Sequence, residues 1–125
     1  MLHPLPPDTS PSRQFDLIAF DWDGTLFDST AIITRCIQQA CREMGLAVPG
    51  EEEAKWVIGL GIVQSMERVA PGLDAQRTRE FAERYRRHFL ARDHEAPLYE
   101  GIPALLAELR GRERRLAVAT GKSRR

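Results

Sequence analysis

Two short apolar runs stand near opposite ends of the chain, and the pattern between them is largely helical. Residues 15–20 (FDLIAF) are mostly apolar and lead into a polar turn, and residues 116–119 (LAVA) repeat that arrangement. Apolar runs of this length before turn residues are typical of strands buried in a parallel sheet. We therefore predict two strands and expect both of their faces to be buried.

After the first strand, the apolar residues follow helical spacing. A helix is predicted from Ser29 or Thr30 to Met44, and Gly45 is its expected stop. Its predicted buried face consists of Ile33, Cys36, Ile37, Ala40, Cys41 and Met44. Thiols five residues apart on one helix diverge, so we expect both cysteines to remain reduced.

Three further helices are predicted before the chain returns to a break at 97–101. The first begins with the glutamates at 51–53, which suit the positive end of a helix dipole, and stops at 59–61. A short helix over 62–70 follows, and Asp74 is expected to cap a longer one. The expected buried face of the first of these helices is Ala54, Val57 and Ile58. The last one carries Phe81, Tyr85, His88 and Phe89 along one side.

This helical stretch is longer than a crossover between parallel strands requires, since one helix is enough. The predicted helix over 102–109, with Leu105, Leu106 and Leu109 facing inward, can serve as that crossover. We therefore predict an α/β protein in which a partial parallel-sheet core, residues 15–30 and 98–125, carries an inserted all-helical cap, residues 31–97.

Composition and charge exclude several classes of protein. The chain has 18 basic and 18 acidic side chains, so no overall field attracts nucleic acid or an anionic membrane. It has no apolar run of about 18 residues that could span a bilayer. Residues 1–14 hold four prolines and indicate a flexible leader rather than a secretion signal. We expect a cytoplasmic protein; the sequence leaves its oligomeric state open.

Candidate chemistry lies where the first strand ends, at Asp21 and Asp23. Ligands of open α/β sheets bind at this end of the strands. Asp21 can attack a phosphoryl group to form an aspartyl phosphate, and Asp23 can exchange protons with the leaving oxygen and the attacking water. Two anions repel an anionic substrate, so Mg²⁺ is the expected cofactor. Gly24 permits a tight turn, and the free backbone amides of this turn can then face phosphate oxygens. The Thr25 hydroxyl can fix the conformation of the turn.

Residues 20–29 (FDWDGTLFDS) resemble the first signature of the haloacid dehalogenase superfamily, in the branch of phosphoglycolate phosphatase and β-phosphoglucomutase. Asp-x-Asp-Gly by itself also suits a turn that caps a helix; the preceding strand and the following TLFDS favour the signature. The resemblance implies Asp21 as the nucleophile and Asp23 as the general acid and base. It also implies Mg²⁺ bound by Asp21 and by the backbone carbonyl of Asp23.

Residues 116–123 (LAVATGKS) resemble the second signature, in which a hydroxyl residue at a strand end binds the transferring phosphoryl group. A hydroxyl and the next amide can donate to phosphate without adding charge. The resemblance implies phosphate contacts from Thr120, Gly121 and Lys122, together with Thr25. Taken alone, the segment also suits a plain turn between strand and helix.

The insert resembles the cap that covers the site in this branch, excludes water and selects the substrate. Arg35, Lys55 and Gly59 are its candidate specificity residues. For Arg35 and Lys55 the alternative is a solvated helix face. A Schiff-base role for Lys55 is disfavoured by its local context, and His88 is expected to be a helix-face residue rather than a ligand.

The resemblance implies a phosphatase acting on a small phosphorylated metabolite such as phosphoglycolate. A phosphosugar mutase remains the alternative. Asp23 disfavours a dehalogenase, whose halide needs no proton, and a receiver domain lacks the long insert. The family's third-signature lysine and later acidic pair have no counterpart in this sequence. We expect the first part of a longer enzyme; a truncated product, a site completed by another chain, or an inactive fragment are the alternatives.

Overall fold

A computed structural model of the protein describes residues 15–121. The predicted leader, 1–14, and Lys122 lie outside the described residues. The elements are β1 (Leu17–Phe20), α1 (Thr30–Glu43), α2 (Glu51–Lys55), α3 (Ile62–Val69), α4 (Ala75–Arg92), a 3-10 turn (Asp93–Glu95), α5 (Ile102–Gly111) and β2 (Arg115–Val118). The predicted α/β class and the order of its elements are confirmed. No helix in this part of the chain is long and apolar enough to cross a membrane.

Strands β1 and β2 pair in parallel, in a register that sets Leu17 opposite Arg115 and Phe20 opposite Val118. The pairing extends one residue further, since the Ala119 amide donates to the Phe20 carbonyl at 2.8 Å. The two strands run in the same direction, so their carboxyl ends and the polar turns that follow lie at the same edge.

The expectation that both strands are buried on both faces is wrong for the described residues. Leu17 is 53% exposed and Val118 is 50% exposed. Neither strand has a buried residue. Each of the two strands has only one neighbour within residues 15–121, and the apolar core of these residues lies elsewhere, so the strand side chains retain contact with solvent.

The inward face predicted for α5 is also wrong for Leu105, which is 40% exposed. Leu106 and Leu109 are half-buried, and no residue of the helix is buried. The apolar core of the described residues accordingly includes no side chain of α5.

Helix α1 has the predicted buried face and the predicted stop. Its buried apolar side chains include Ile33, Cys36, Ile37, Ala40, Cys41 and Met44. Gly45 has a φ of +64°, and the next amide, that of Leu46, donates back to the Cys41 carbonyl at 2.9 Å. Both cysteines are free and buried, and burial raises the pKa of each thiol, so they remain protonated at neutral pH.

The other helices of the insert follow the sequence pattern with one difference in length. Helix α2 ends at Lys55, earlier than the apolar pattern indicates, although Ala54 and Val57 are buried as expected. The predicted cap of α4 is confirmed, since the Asp74 carboxylate accepts the Arg77 amide hydrogen at 2.8 Å.

The apolar core lies among the helices that separate the two strands. Helix α4 packs against α1 and α3, and α1 also packs against α2. Along α4, Phe81, Tyr85 and Phe89 stack in sequence with ring centroids 6.5 and 6.0 Å apart. Phe81 is only 1% exposed. The helical stretch therefore has a core of its own.

The segments that lead into and out of this helical stretch are hydrogen-bonded to each other. The Asp28 amide donates to the Pro97 carbonyl at 2.9 Å, and the Tyr99 amide donates to the Leu26 carbonyl at 3.0 Å. The chain therefore leaves β1 for the helices and returns toward β2 at one place.

Glu43, the last residue of α1, connects this helix to α4. Its carboxylate accepts from Arg84 at 3.1 Å and Arg87 at 2.9 Å, and His88 Nε2 lies 2.7 Å from its other oxygen. Partial desolvation opposes ionisation of Glu43, but the bonds from His88 and Arg84 outweigh it and lower the pKa of the carboxyl group. His88 thus has a structural contact on the helix surface, in agreement with the sequence prediction.

This depressed pKa predicts a pH dependence of stability. The stabilisation from Glu43 should be fully present above its ordinary pKa of 4.5 and should be lost as the pH falls through the lower folded-state pKa. The difference in urea midpoint between the parent protein and Glu43→Gln should therefore shrink between about pH 5.5 and pH 3. Glu83→Gln, at an exposed position of α4, is the matched control. A difference that is constant with pH, or that grows toward acid, would contradict the assigned role.

Candidate active site

The polar turns after β1 and β2 meet at the wall of one cavity of about 620 Å³. Asp21 and Asp23 from the first turn and Thr120 and Gly121 from the second all line it. The parallel register accounts for this, because it brings both strand ends to the same edge. The structure therefore brings together four of the site residues predicted from the sequence.

The helices of the insert supply the remaining walls of the cavity, from α1, α3, α4 and the turn after α2. Gly59, a predicted cap residue in that turn, is part of the lining. Its carbonyl oxygen lies 3.6 Å from the position that a Cβ on Gly121 would take. The turn after α2 and the turn after β2 are therefore in close approach, with the cavity bounded by both.

The turn after β1 is closed by its own backbone hydrogen bonds. The Trp22 carbonyl accepts from the amides of Thr25 and Phe27 at 3.3 and 3.0 Å, and the Gly24 amide donates to the Phe27 carbonyl at 2.9 Å. The expectation that free amides of this turn face phosphate is thus wrong for Gly24 and Thr25. Gly24 has a φ of +76°, so glycine is needed here for the turn itself.

Each carboxylate of this turn is oriented by a hydrogen bond. The Trp22 amide donates to Asp21 Oδ1 at 2.7 Å, and the Ser29 hydroxyl donates to Asp23 Oδ1 at 2.6 Å. Ser29 is completely buried and stands at the N-cap of α1, but its side chain makes no capping bond to that helix. Its hydroxyl instead holds Asp23, which ties the start of α1 to the site.

Ser29, Tyr85 and Arg86 are side chains at this site to which the sequence interpretation gives no role there. Burial raises the pKa of Tyr85, and the negative charge of Asp23 raises it further, so the phenol remains protonated at neutral pH. Tyr85 and Arg86 both line the cavity from α4. Ser29 lies within the signature segment and could have been found there. No motif in the sequence singles out Arg86, because its place in the cavity lining depends on which side of α4 faces the cavity.

The other predicted cap residues do not line the cavity. Lys55 pairs with Glu51 at 2.8 Å and Glu52 at 3.1 Å, and these bonds raise the pKa of the lysine. Arg35 lies on the exposed side of α1, where its charge, after that of Lys55, helps to lower the pKa of Glu51. Both residues therefore match the helix-face alternative. Thr25 is likewise absent from the cavity lining, although it belongs to the adjoining turn.

The Asp21 carboxylate and the Asp23 backbone carbonyl offer the hard oxygen donors that Mg²⁺ prefers. Within residues 15–121, no group of three or more His, Cys, Asp or Glu side chains is arranged to hold a metal ion. Mg²⁺ commonly binds through one or two carboxylates and keeps several waters. The two aspartates therefore fit a magnesium ion as a partial ligand set.

The family model for haloacid dehalogenase-like hydrolase matches residues 18–125. The chain therefore belongs to the haloacid dehalogenase-like hydrolase family.

Curated relatives with different names match this chain over most of its length. It is 34% identical to the tyrosine-protein kinase PtkA of Mycobacterium tuberculosis over 116 residues, which are 92% of this chain and 39% of the relative. It is 37% identical over 106 residues to a 5'-nucleotidase of Pseudomonas aeruginosa, covering 84% and 48% of the two chains. A phosphoglycolate phosphatase of Aquifex aeolicus is 32% identical over 111 residues, covering 85% and 49%. The chain thus spans about half or less of the length of these relatives.

Solved structures share the fold. The structure of M. tuberculosis PtkA superimposes with a TM-score of 0.70 at 36% identity, covering 84% of this chain and 48% of that one. A hydrolase from Pseudomonas syringae gives a TM-score of 0.80 at 18% identity, covering 88% and 50%. The second likeness concerns the fold alone.

The bond from Ser29 to Asp23 predicts that Ser29 positions a group at this site. With protein expressed from its complete coding sequence, Ser29→Ala should lower the turnover number of the phosphate-ester hydrolysis that we propose for this site by about 10- to 100-fold, because Asp23 loses its fixed orientation. Unfolding in urea should show a loss of only about 1 kcal/mol, the value of one hydrogen bond.

Thr78→Ala is the matched control, since it removes a hydroxyl that donates to the Asp74 carbonyl on α4, away from the cavity. An unchanged turnover number in Ser29→Ala, or a loss fully accounted for by unfolded protein, would refute the positioning role.

Proposed function

We propose that the protein is a magnesium-dependent phosphatase that hydrolyses a small phosphorylated metabolite through an aspartyl phosphate at Asp21. One observation carries the proposal: Asp21 and Asp23 after β1 and Thr120 and Gly121 after β2 line a single cavity beneath the helices. The names of relatives with 32% to 37% identity, a phosphoglycolate phosphatase and a 5'-nucleotidase, support it.

In the first step, an Asp21 carboxylate oxygen attacks the phosphorus atom and the bond from phosphorus to the ester oxygen breaks. Asp23 gives its proton to the departing oxygen, so the leaving group departs as an alcohol. The Ser29 hydroxyl donates to Asp23 Oδ1 and orients this carboxyl group for the proton transfer. The Thr120 hydroxyl and the Gly121 amide are assigned to the phosphoryl oxygens, whose charge they stabilise without adding a cation.

In the second step, water attacks the phosphorus atom of the aspartyl phosphate while Asp23 accepts a proton from that water. The bond between phosphorus and the Asp21 oxygen breaks. Inorganic phosphate is released, the Asp21 carboxylate is restored and Asp23 is protonated again. One carboxyl group thus serves as acid and then as base, so no further proton donor is needed.

A magnesium ion, when bound, would offset the repulsion between the two aspartates and the anionic phosphate. Asp21 and Asp23 are the residues we assign to hold it. We extend the proposal to the division of the chain, with residues 31–97 as a cap over a core of 15–30 and 98–125. The buried free thiols of Cys36 and Cys41 support a cytoplasmic location.

Two other outcomes of phosphoryl transfer would release no phosphate from these esters and would be recognised by their own products. A mutase would convert one sugar phosphate into its isomer without net release of phosphate. The name of the relative PtkA and its structural likeness favour transfer to tyrosine as a second candidate. In that case, a tyrosine-containing protein or peptide would gain the γ-phosphate of ATP, and phosphate esters would not be turned over.

Replacing the nucleophile should abolish both steps. Asp21→Asn should reduce phosphate release by about 10⁴-fold or more, because the covalent route is lost. The measurement is steady-state phosphate release with Mg²⁺, from phosphoglycolate and from several sugar phosphates. Asp16→Asn, which alters a nearby carboxylate that does not line the cavity, should remain active. Retention of full activity by Asp21→Asn would exclude the aspartyl-phosphate mechanism.

Replacing the acid and base should depend on the leaving group. Asp23→Asn should slow hydrolysis of alkyl phosphates by about 10²- to 10⁴-fold. With p-nitrophenyl phosphate, whose leaving group needs no proton, it should release about one equivalent of nitrophenolate per site and then stall at the aspartyl phosphate. Absorbance after rapid mixing would detect the burst of nitrophenolate, and acid quenching would trap the accumulated phosphoenzyme for measurement. Equal loss in both half-reactions for all leaving groups would argue against the assigned role.

A further inference from the structure

The cavity that holds the aspartates is larger and more apolar than glycolate requires. Its volume of about 620 Å³ lies within the range of roughly 300–1,000 Å³ that is typical of pockets for drug-sized ligands. Most of its lining side chains are apolar, among them Ile33, Val57, Leu60, Met66, Phe81 and Leu90. Water gains little from contact with such walls, and an apolar ligand body gains by leaving water.

Helix α4 borders the cavity with two neighbouring rows of side chains. One row is the aromatic stack of Phe81, Tyr85 and Phe89, of which Phe81 and Phe89 are buried and Tyr85 is half-buried. The other, again at four-residue spacing, consists of Ala82, Arg86 and Leu90, and its last two members are exposed. The first row therefore gives the cavity an aromatic wall, and the second row lies where the cavity meets solvent.

Arg86 is the cationic side chain among the described residues that line the cavity. Its neighbours on α4 are already engaged, since Arg84 pairs with Glu80 and Glu43, and Arg87 pairs with Glu43. Within residues 15–121 the structure shows no ion pair for Arg86. A guanidinium so placed suits an anionic or hydrogen-bond-accepting group on the solvent side of a bound ligand.

We infer that the substrate is a phosphate monoester whose leaving group has an apolar, ring-containing body that fills this cavity. The leaving group also has an anionic or hydrogen-bond-accepting group that pairs with Arg86. The inference rests on the proposed phosphatase function and adds the substrate class. The phosphoryl group would lie at Asp21, Asp23 and Thr120, and the ring would lie against the aromatic row of α4.

The test compares primary alkyl phosphates, because their alcohols leave with similar ease and differences in rate then report binding. With protein from the complete coding sequence and Mg²⁺, kcat/KM for 2-phenylethyl phosphate should exceed that for ethyl phosphate and for phosphoglycolate by about 10-fold or more. A para-carboxylate on the phenyl ring should raise kcat/KM further, by about 5- to 10-fold.

Two variants with matched controls assign these gains to the cavity. Leu90→Ala should lower kcat/KM for 2-phenylethyl phosphate about fivefold more than it lowers kcat/KM for ethyl phosphate. Val63→Ala, at a 56% exposed position that does not line this cavity, should change neither. Arg86→Met should remove the additional gain in kcat/KM that the para-carboxylate gives. Arg68→Met on α3, where the side chain does not line the cavity, should preserve that gain.

The outcomes distinguish a wrong substrate class from a wrong phosphatase function. Phosphate release that is equal for ethyl and 2-phenylethyl phosphate, or fastest for phosphoglycolate, would overturn the substrate class and leave the phosphatase function standing. If kcat/KM is higher for the ring-containing esters but neither Leu90→Ala nor Arg86→Met alters this preference, the role assigned to the cavity is wrong. Absence of phosphate release from every ester would refute the phosphatase function itself, and the inference with it.

Discussion

The parallel pairing of β1 with β2 is the constraint on which the rest of the site depends. Phe20 and Val118 are paired in a register that brings the turn at Asp21 beside the turn at Thr120, although almost the whole described chain separates them. Parallel strands cannot be joined by a tight turn, so the intervening chain must cross over. Here that chain also forms an apolar core of its own and returns close to the point where it left.

The site and the helical stretch share one segment of chain, since Asp23 and the start of α1 are separated by a short turn. Ser29 is the physical link, because its hydroxyl donates to Asp23 at 2.6 Å and makes no side-chain capping bond at the helix start. A helix that gives up a capping bond loses about 1 kcal/mol. The Ser29 hydroxyl therefore orients the Asp23 carboxylate at the cost of some helix stability. Local features that reduce stability in this way are common at functional sites.

Much of the candidate site could be predicted from the sequence, because its residues follow apolar runs whose carboxyl ends must lie at one edge of a parallel sheet. Asp21 and Asp23 were expected at a strand end on this ground, and Thr120 and Gly121 through the resemblance to the second signature. The structure lines one cavity with all four. Arg35 and Lys55 were weaker candidates, since a charge on a helix surface more often contacts a neighbouring charge. The pairing of Lys55 with Glu51 is an example.

The sequence by itself determined the local structure: the strand and helix positions, the Gly45 stop, the Asp74 cap and the two carboxylates after β1. These features depend on periodicity and on contacts within a few residues. Only the tertiary structure decided that Arg86 borders the cavity and Lys55 does not, because the packing of α4 and of α2 sets which side of each helix faces the cavity. It also decided that Leu17, Leu105 and Val118 remain exposed. Burial depends on what packs against an element, and its apolar pattern alone does not specify that neighbour.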